Sequence, residues 1–447
     1  MNQIETALNL NNQAKGWWNE LQKTSGLGTA EARTRKSAFS RFQEQGFPTT
    51  RQEDWKYTDV HRILDIPYAW PVKDEQELSA EIFSRLPLSP LTGEDGYHMV
   101  FVNGYFMPDY STLPAEKAKG ITLKPLRKAS GEKAWQTHLA TVAETATGFI
   151  SLNTALHTDG AFLHLEAGAT LDKPLFLWFV AQCEQDAYFI QPRNLIVAEA
   201  GASANIVELF VSAGEEPSLT NVVTEIVAGE QAKVDYTKLQ LETHQNYHVG
   251  TAHVSQEQGS RVDTHLISLD GAFIRNNLNF SMKGKSCSSI LNGLYLLHDE
   301  QFLDNHTRVD HARPECFSDQ LYKGIMDDKS TGVFNGKIYV HPDAQQTNAY
   351  QRNVNILLSD DAAINTKPQL EIYADDVRCT HGATTGYLNE EAIFYLRSRG
   401  IGEEEARLLM MNAFAGEIVE KLNIAALKEP LTRLIADKLR NRQELAG

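Results

Sequence analysis

Ala161-Phe-Leu-His-Leu-Glu-Ala-Gly-Ala169 joins a short stretch of apolar alternation to a Glu-Ala-Gly-Ala turn, and that pairing decides the architecture. It recurs down the chain. Turns of the same kind stand at Glu199-Ala-Gly-Ala202, Val227-Ala-Gly-Glu230, Glu257-Gln-Gly-Ser260 and Met282-Lys-Gly-Lys285. From Gly168 to Gly201 is 33 residues, to Gly229 a further 28, to Gly259 30 and to Gly284 25. Polar breaks at Asp327-Asp-Lys-Ser330 and Ser359-Asp-Asp361 continue the series. Between the turns lie alternating stretches such as Asn205-Ile-Val-Glu-Leu-Phe-Val211 and Val234-Asp-Tyr-Thr-Lys-Leu-Gln-Leu241. A loose period built from short strands marks a repeat architecture, in which each coil buries its inward face against the next. The expected fold class is mainly β, a parallel β-helix, with a sandwich or jelly roll as the competing arrangement of many short strands.

The flanks read differently. Residues 1–155 are mixed: Asn2 to Gln45 has helical spacing, Gly46-Phe-Pro48 stops it, and Tyr97–Phe106 reads as a hairpin around Asn103-Gly104. Residues 156–388 form the β-helix core. Residues 389–447 are helical, with an Asn389 cap, a stop at Gly400, a second helix opening at Glu403-Glu-Glu405 and a third with Pro430 in its first turn. The ordinary expectation for that last unit is that it caps the open end of the solenoid; the alternative is an apolar face offered to a partner.

Composition excludes several classes. The net charge of -16 disfavours nucleic acid and anionic membranes, both of which reward clustered Lys and Arg. No window reaches about 18 uninterrupted apolar residues, and no secretory leader is read, so a cytoplasmic location is expected. Four scattered cysteines form no CxxC pair and fit a reducing compartment. Gly284-Lys-Ser286 and Gly332-Val-Phe-Asn-Gly-Lys337 fall short of a phosphate-binding loop, so nucleotide hydrolysis by this chain is not expected.

The chemistry-bearing stretch is Lys367-Pro-Gln-Leu-Glu-Ile-Tyr-Ala-Asp-Asp-Val-Arg-Cys-Thr-His-Gly-Ala-Thr384. In an extended segment Cys379 and His381 point to the same side, a thiol and an imidazole able to share a metal. Two ligands do not complete a site, so the rest must come from afar or from another chain. Glu371, Asp375 and Asp376 admit a carbohydrate-active reading, since paired carboxylates hydrolyse glycosides, but turn chemistry accounts for the Asp pair. His306, His311 and Cys316 make a weaker candidate cluster. Trp55-Lys-Tyr57 reads chiefly as core packing.

That long motif, with Ile393-Phe-Tyr-Leu-Arg-Ser-Arg-Gly-Ile401 and Val333-Phe-Asn-Gly336, resembles the SufB/SufD family of iron–sulfur cluster assembly scaffolds. Arg51-Gln-Glu-Asp-Trp-Lys-Tyr-Thr58 is similar to the segment typical of its SufD branch. The resemblance implies a right-handed parallel β-helix between helical domains. It implies a non-enzymatic scaffold with no stably bound cofactor, holding only a transient iron–sulfur cluster shared with SufB. The implied partners are SufB, through the β-helix, and the ABC-type ATPase SufC, through the C-terminal helices. Phe394, Tyr395, Leu396, Arg397, Arg399 and Gly400 fall in the matching docking stretch. His381 is the first candidate ligand at the partner interface and Cys379 the second. A chain without its partner is expected to pair with its own copy, and a stand-alone homodimeric metal-binding module is the remaining alternative.

Overall fold

A computed structural model describes residues 2–24, 29–73, 76, 78–88, 96–114, 120–143 and 147–446. Two sheets face each other across one apolar interior. The first runs from Tyr105–Phe106 and Tyr97–Val102 through Leu175–Gln182, Ser203–Ala213, Lys233–Leu241, Arg261–Asp270, Ser288–Leu297, Phe317–Met326 and Thr347–Leu357 to Val377–Gly386. The second runs from Ile121–Pro125 and Ala161–Leu165 through Arg193–Ala198, Ser218–Ala228, Tyr247–Gln256, Phe273–Met282, Phe302–His311 and Thr331–Val340 to Ala363–Ile372. From Arg193 onward the named strands alternate between the sheets along the chain, and neighbours within each sheet are parallel. The result is a parallel β-solenoid of about eight turns, as the repeat predicts.

The register shows why the period is loose. In the second sheet Tyr247 sits opposite Phe273, Phe273 opposite Phe302, Phe302 opposite Thr331 and Thr331 opposite Ala363, steps of 26, 29, 29 and 32 residues. The strands keep nearly constant length while the corners vary. Corners stack by main-chain bonds: Gly168 N–H donates to Ala200 O at 2.8 Å, Gly201 to Glu230 O at 2.7 Å and Gly259 to Lys285 O at 2.9 Å. All three glycines have positive φ, which a side chain at those corners disfavours.

Inward residues of successive coils, among them Ile206, Tyr236, Leu266, Leu291, Tyr322 and Phe334, form one continuous core. Room for the tyrosines comes from glycine. A Cβ on Gly293 would lie 2.2 Å from the Tyr322 ring, and one on Gly324 would lie 2.2 Å from the Tyr295 ring. The outward faces are covered as well. Leu239, Ile267, Leu294 and Leu321 of the first sheet pack under Met411, Ile418, Leu427 and Leu431 of the C-terminal helices. Leu219, Val249, Phe273 and Phe302 of the second sheet pack under Phe42, Trp55 and Phe149 of the N-terminal part. Most strands are therefore buried on both faces, which weakens the simple alternation in their sequences.

Two expectations are corrected here. The C-terminal unit, helices Glu390–Ser398, Glu403–Glu420 and Ala425–Ala446, lies against the outer face of the first sheet and does not cap the solenoid end. The apolar outward stripe of that sheet needs cover, and the helices supply it. The last helix also starts earlier than Pro430 suggests. Leu427, fully buried, draws the preceding turn in, so Pro430 lies inside the helix. The hairpin is as expected, with Phe101 opposite Phe106 and positive φ at Asn103 and Gly104. Its first strand also pairs in parallel with Leu175–Gln182, so it opens the first sheet. The Asn389 side chain accepts from Ala392 N–H at 3.1 Å, and Gly400 has φ 88° at the end of the first C-terminal helix.

The Trp55-Lys-Tyr57 segment divides. Trp55 is buried, stacked on Phe149 with the Arg275 guanidinium 4.2 Å above its ring, whereas Tyr57 is exposed beside Lys56. Gly332–Lys337 lies within a strand and Gly284-Lys-Ser286 in a corner followed by a strand; neither opens a helix that could hold phosphate.

Candidate functional site

The last coil differs from every other. Val377–Gly386 ends the first sheet and Ala363–Ile372 ends the second, so each leaves one edge unpaired among the described residues. No side chain on either strand is fully buried. Cys379 lies opposite Ala349 and His381 opposite Gln351. Ala349 and Gln351 are buried inward residues, and the Gln351 amide donates to Gln320 Oε1 at 3.1 Å. In-register stacking therefore turns both Cys379 and His381 toward the solenoid interior at its uncovered end.

Their surroundings are unequal. Cys379 is half-buried against Ile338, Val340, Ala344 and Ala349. Burial there pushes its thiol pKa up, which favours the uncharged form. His381 stands exposed. The imidazole is the more accessible of the two donor groups, and the thiol is the more shielded. Among the described residues no group of three or more His, Cys, Asp or Glu side chains could hold a metal ion. Cys379 and His381 thus bring two donor groups to one side of the last strand.

The neighbouring carboxylates have other partners. Glu371 pairs with Lys337 at 2.6 Å. Asp375 and Asp376 form the corner between the last two strands, where Asp376 N–H donates to Gln345 Oε1 at 2.8 Å. His306, His311 and Cys316 are not brought together. His306 faces outward against Asp304 at 3.1 Å, while His311 faces inward to Ser318 at 2.9 Å. Their alternation on one strand puts them on opposite sides.

A second exposed feature lies on the helix Glu390–Ser398. Ile393 is buried, but Phe394 and Tyr395 are 73% and 58% exposed. Arg399 lies over the Tyr395 ring at 5.2 Å, and Arg397 pairs with Glu403 at 3.0 Å. Leu396 packs partly into the core, and Gly400 ends the helix. Tyr387, 66% exposed, and Leu409 add to the chain's exposed apolar surface, and sequence reading passed over Tyr387. Tyr387 follows directly on the end of the last strand, and that position was the available signal. Ile372 and Tyr373, exposed at the free end of the second sheet, were missed for the same reason.

A parallel β-solenoid flanked by helical units is the architecture expected of the assembly scaffolds that the motif resembles. The family model described as "SUF system FeS cluster assembly, SufBD core domain" matches residues 179–414, and "SufBD protein N-terminal region" matches residues 23–177. The chain belongs to the SufBD family of iron–sulfur cluster assembly proteins. It is 30% identical to the iron–sulfur cluster assembly protein SufD of Escherichia coli, over 94% of this chain and 97% of that one. It is 31% identical to a SufBD family protein of Synechocystis, over 87% of each chain, and 27% identical to SufD of Bacillus subtilis, over 65% of this chain and 66% of that one. No described helix is long and apolar enough to cross a membrane.

Proposed function

We propose that this chain is the non-enzymatic, SufD-type scaffold subunit of a cytoplasmic SufBCD complex. Its open last coil pairs with SufB, and its C-terminal helices dock the ATPase SufC. The observation that carries the reading is the last coil itself: two free sheet edges with an accessible imidazole beside a half-buried thiol on one strand. Parallel edges of this kind bind another strand readily. The cluster is cargo, not a resident cofactor; SufB supplies the missing thiolate ligands and His381 a neutral nitrogen. Without SufB the same edges accept a second copy of this chain.

The docking surface favoured for the ATPase is Phe394 and Tyr395, large rings left in solvent on a helix whose other face is buried. The C-terminal helices are fastened to the first sheet, the sheet that ends in Cys379 and His381. Lys323 Nζ bonds Phe414 O at 2.9 Å and Glu417 at 2.7 Å, and Lys438 bonds Asp270 at 2.7 Å. Closure of an ATP-bound SufC pair thus pulls on the sheet that carries the ligands, and opens the interface.

The test is co-expression with SufB and SufC. His381→Ala is expected to leave the complex intact by size-exclusion chromatography while iron and acid-labile sulfide fall at least about tenfold, since even indirect supports of a metal ligand cost that much. Unchanged cluster content rules out the ligand role. Phe394→Ala with Tyr395→Ala is expected to leave the melting temperature unchanged, because both rings are exposed, and to abolish co-purification of the ATPase. Retention of the ATPase at wild-type stoichiometry places docking elsewhere.

A further inference from the structure

One corner of the solenoid carries two thiols where the fold needs only hydroxyls. Ser260, Cys287, Cys316 and Thr347 stack on successive coils. Ser288 N–H donates to Ser260 O at 3.0 Å, Phe317 N–H to Cys287 O at 2.9 Å and Asn348 N–H to Cys316 O at 2.9 Å. At both ends of the stack a hydroxyl closes its own corner: Ser260 Oγ donates to Glu257 O at 2.7 Å and Thr347 Oγ1 to Ala344 O at 2.8 Å. Between them Cys287 makes the equivalent bond to Gly284 O at 3.2 Å. Cys316 Sγ lies 3.5 Å from that same Gly284 oxygen, so the two sulfurs crowd one acceptor. A Cβ on Gly284 would lie 2.0 Å from Gln258 N, so the corner that aims this carbonyl is held tightly.

We propose that Cys287 and Cys316 are a reversible oxidation site, closing into a disulfide that staples two consecutive coils. Paired parallel strands lie about 4.8 Å apart, inside the roughly 4.4–6.8 Å Cα separation that disulfides span. Both sulfurs are buried, but Lys285 and Ser286 beside them are exposed, so a water-sized oxidant has only the corner to cross. The roles are ordered. The Ser260 hydroxyl lies 3.9 Å from the Cys287 sulfur, and the adjacent Cys316 thiol lowers the Cys287 pKa while that of Cys316 is raised. Cys287 is the attacking thiolate and Cys316 the resolving thiol.

With hydrogen peroxide as oxidant, the Cys287 thiolate attacks one peroxide oxygen. The O–O bond breaks, and the departing hydroxide takes a proton to become water. This leaves a sulfenic acid on Cys287. The Cys316 sulfur then attacks the Cys287 sulfur, the S–O bond breaks, and the hydroxide leaves as water with the Cys316 proton. Two thiols lose two electrons in total, and one peroxide becomes two waters.

The test treats the full chain with hydrogen peroxide, then quenches, denatures, alkylates and maps peptides without reduction. The expected product links the Cys287 and Cys316 peptides and is undone by dithiothreitol. Recovery of both as separately alkylated peptides, at a dose that oxidises half-buried Cys379, overturns the proposal; so does a link to Cys183 or Cys379. Cys287→Ser and Cys316→Ser should both fold, because Ser260 and Thr347 already place hydroxyls on this ridge. In C316S a sulfenic-acid probe is expected to label Cys287, while C287S leaves Cys316 unlabelled. Equal labelling in the two variants refutes the assigned roles.

Discussion

Lys238→Met is expected to destabilise the fold by about 3–5 kcal/mol, the cost of removing one partner from a buried charge cluster. Lys238 lies inside the solenoid with its ammonium 4.9 Å from the centre of the Phe210 ring. Its charge is opposed by Glu208 and Glu242, both buried. Glu208 accepts from Asn194 at 2.8 Å, Thr224 at 2.6 Å and Tyr236 at 2.7 Å. Glu242 accepts from Thr220 at 3.1 Å and from His248 Nδ1–H at 2.9 Å. Burial holds His248 down at about 4, so it is neutral and donates without cancelling charge. Without Lys238 two carboxylates stay in the core with no cation.

The same cluster predicts a pH dependence. Burial lowers the Lys238 pKa from its ordinary 10.5 to about 8. Between those values the unfolded chain binds more protons than the native one, so this group makes stability rise with pH from about 8 to 10.5. Below about 8 the cost of the buried ammonium is present in full. Lys238→Met is expected to lose that rise. Its deficit against the parent therefore widens as the pH rises from about 8 to 10.5. Denaturant unfolding of both proteins across this range measures the difference, in which titrations common to the two cancel. A constant deficit at all pH values contradicts the charge assignment.

Arg275→Met is the other large effect, again about 3–5 kcal/mol. Arg275 and Asp304 are buried partners on adjacent strands, and Thr58 also bonds the Asp304 carboxylate. Arg275 donates to Asp54 O at 2.9 Å and covers the Trp55 ring, so it ties the 53–58 segment to the solenoid. Burial alone would raise the Asp304 pKa, yet Arg275 and His306 hold it below the usual carboxylate range. With the guanidinium gone, the carboxylate loses its main support. Arg275→Met is expected to expose 53–58 to limited proteolysis as well as to lower the unfolding midpoint. Asp304→Asn in the same chain is expected to recover part of the loss, because most of the cost is the stranded charge. No recovery in that double variant means that the loss comes from the Trp55 contact and not from the ion pair.

Neither cluster was legible in the sequence. Lys238 stands in Val-Asp-Tyr-Thr-Lys-Leu-Gln-Leu241, where a lysine reads as a solvated position, and Arg275 stands in an ordinary polar strand. Each depends on a partner from a neighbouring coil: Glu208 lies one coil before Lys238, and Asp304 one coil after Arg275. The free end was partly legible. The two-residue spacing of Cys379 and His381 put them on one side of a strand, and that held because strand alternation is local. Their unequal exposure was not, since it follows from which coil is last and what packs beside it. The tyrosines over Gly293 and Gly324 show the same limit: the space that each glycine opens is filled from the neighbouring coil.

By itself, then, the sequence determined what is carried by local spacing: strands punctuated by corner glycines, a period near one coil, the helix caps at Asn389 and Gly400, and the family that the Cys379–His381 motif marks. The tertiary structure alone decided what depends on stacking. It set the C-terminal helices on the side of the first sheet instead of over its end, left Phe394 and Tyr395 in solvent, sealed Lys238 among carboxylates, and brought Cys287 and Cys316 to one carbonyl across 29 residues of chain. The physical reason is that a solenoid makes its neighbours one coil apart, and the uneven length of the corners hides which residues those neighbours are.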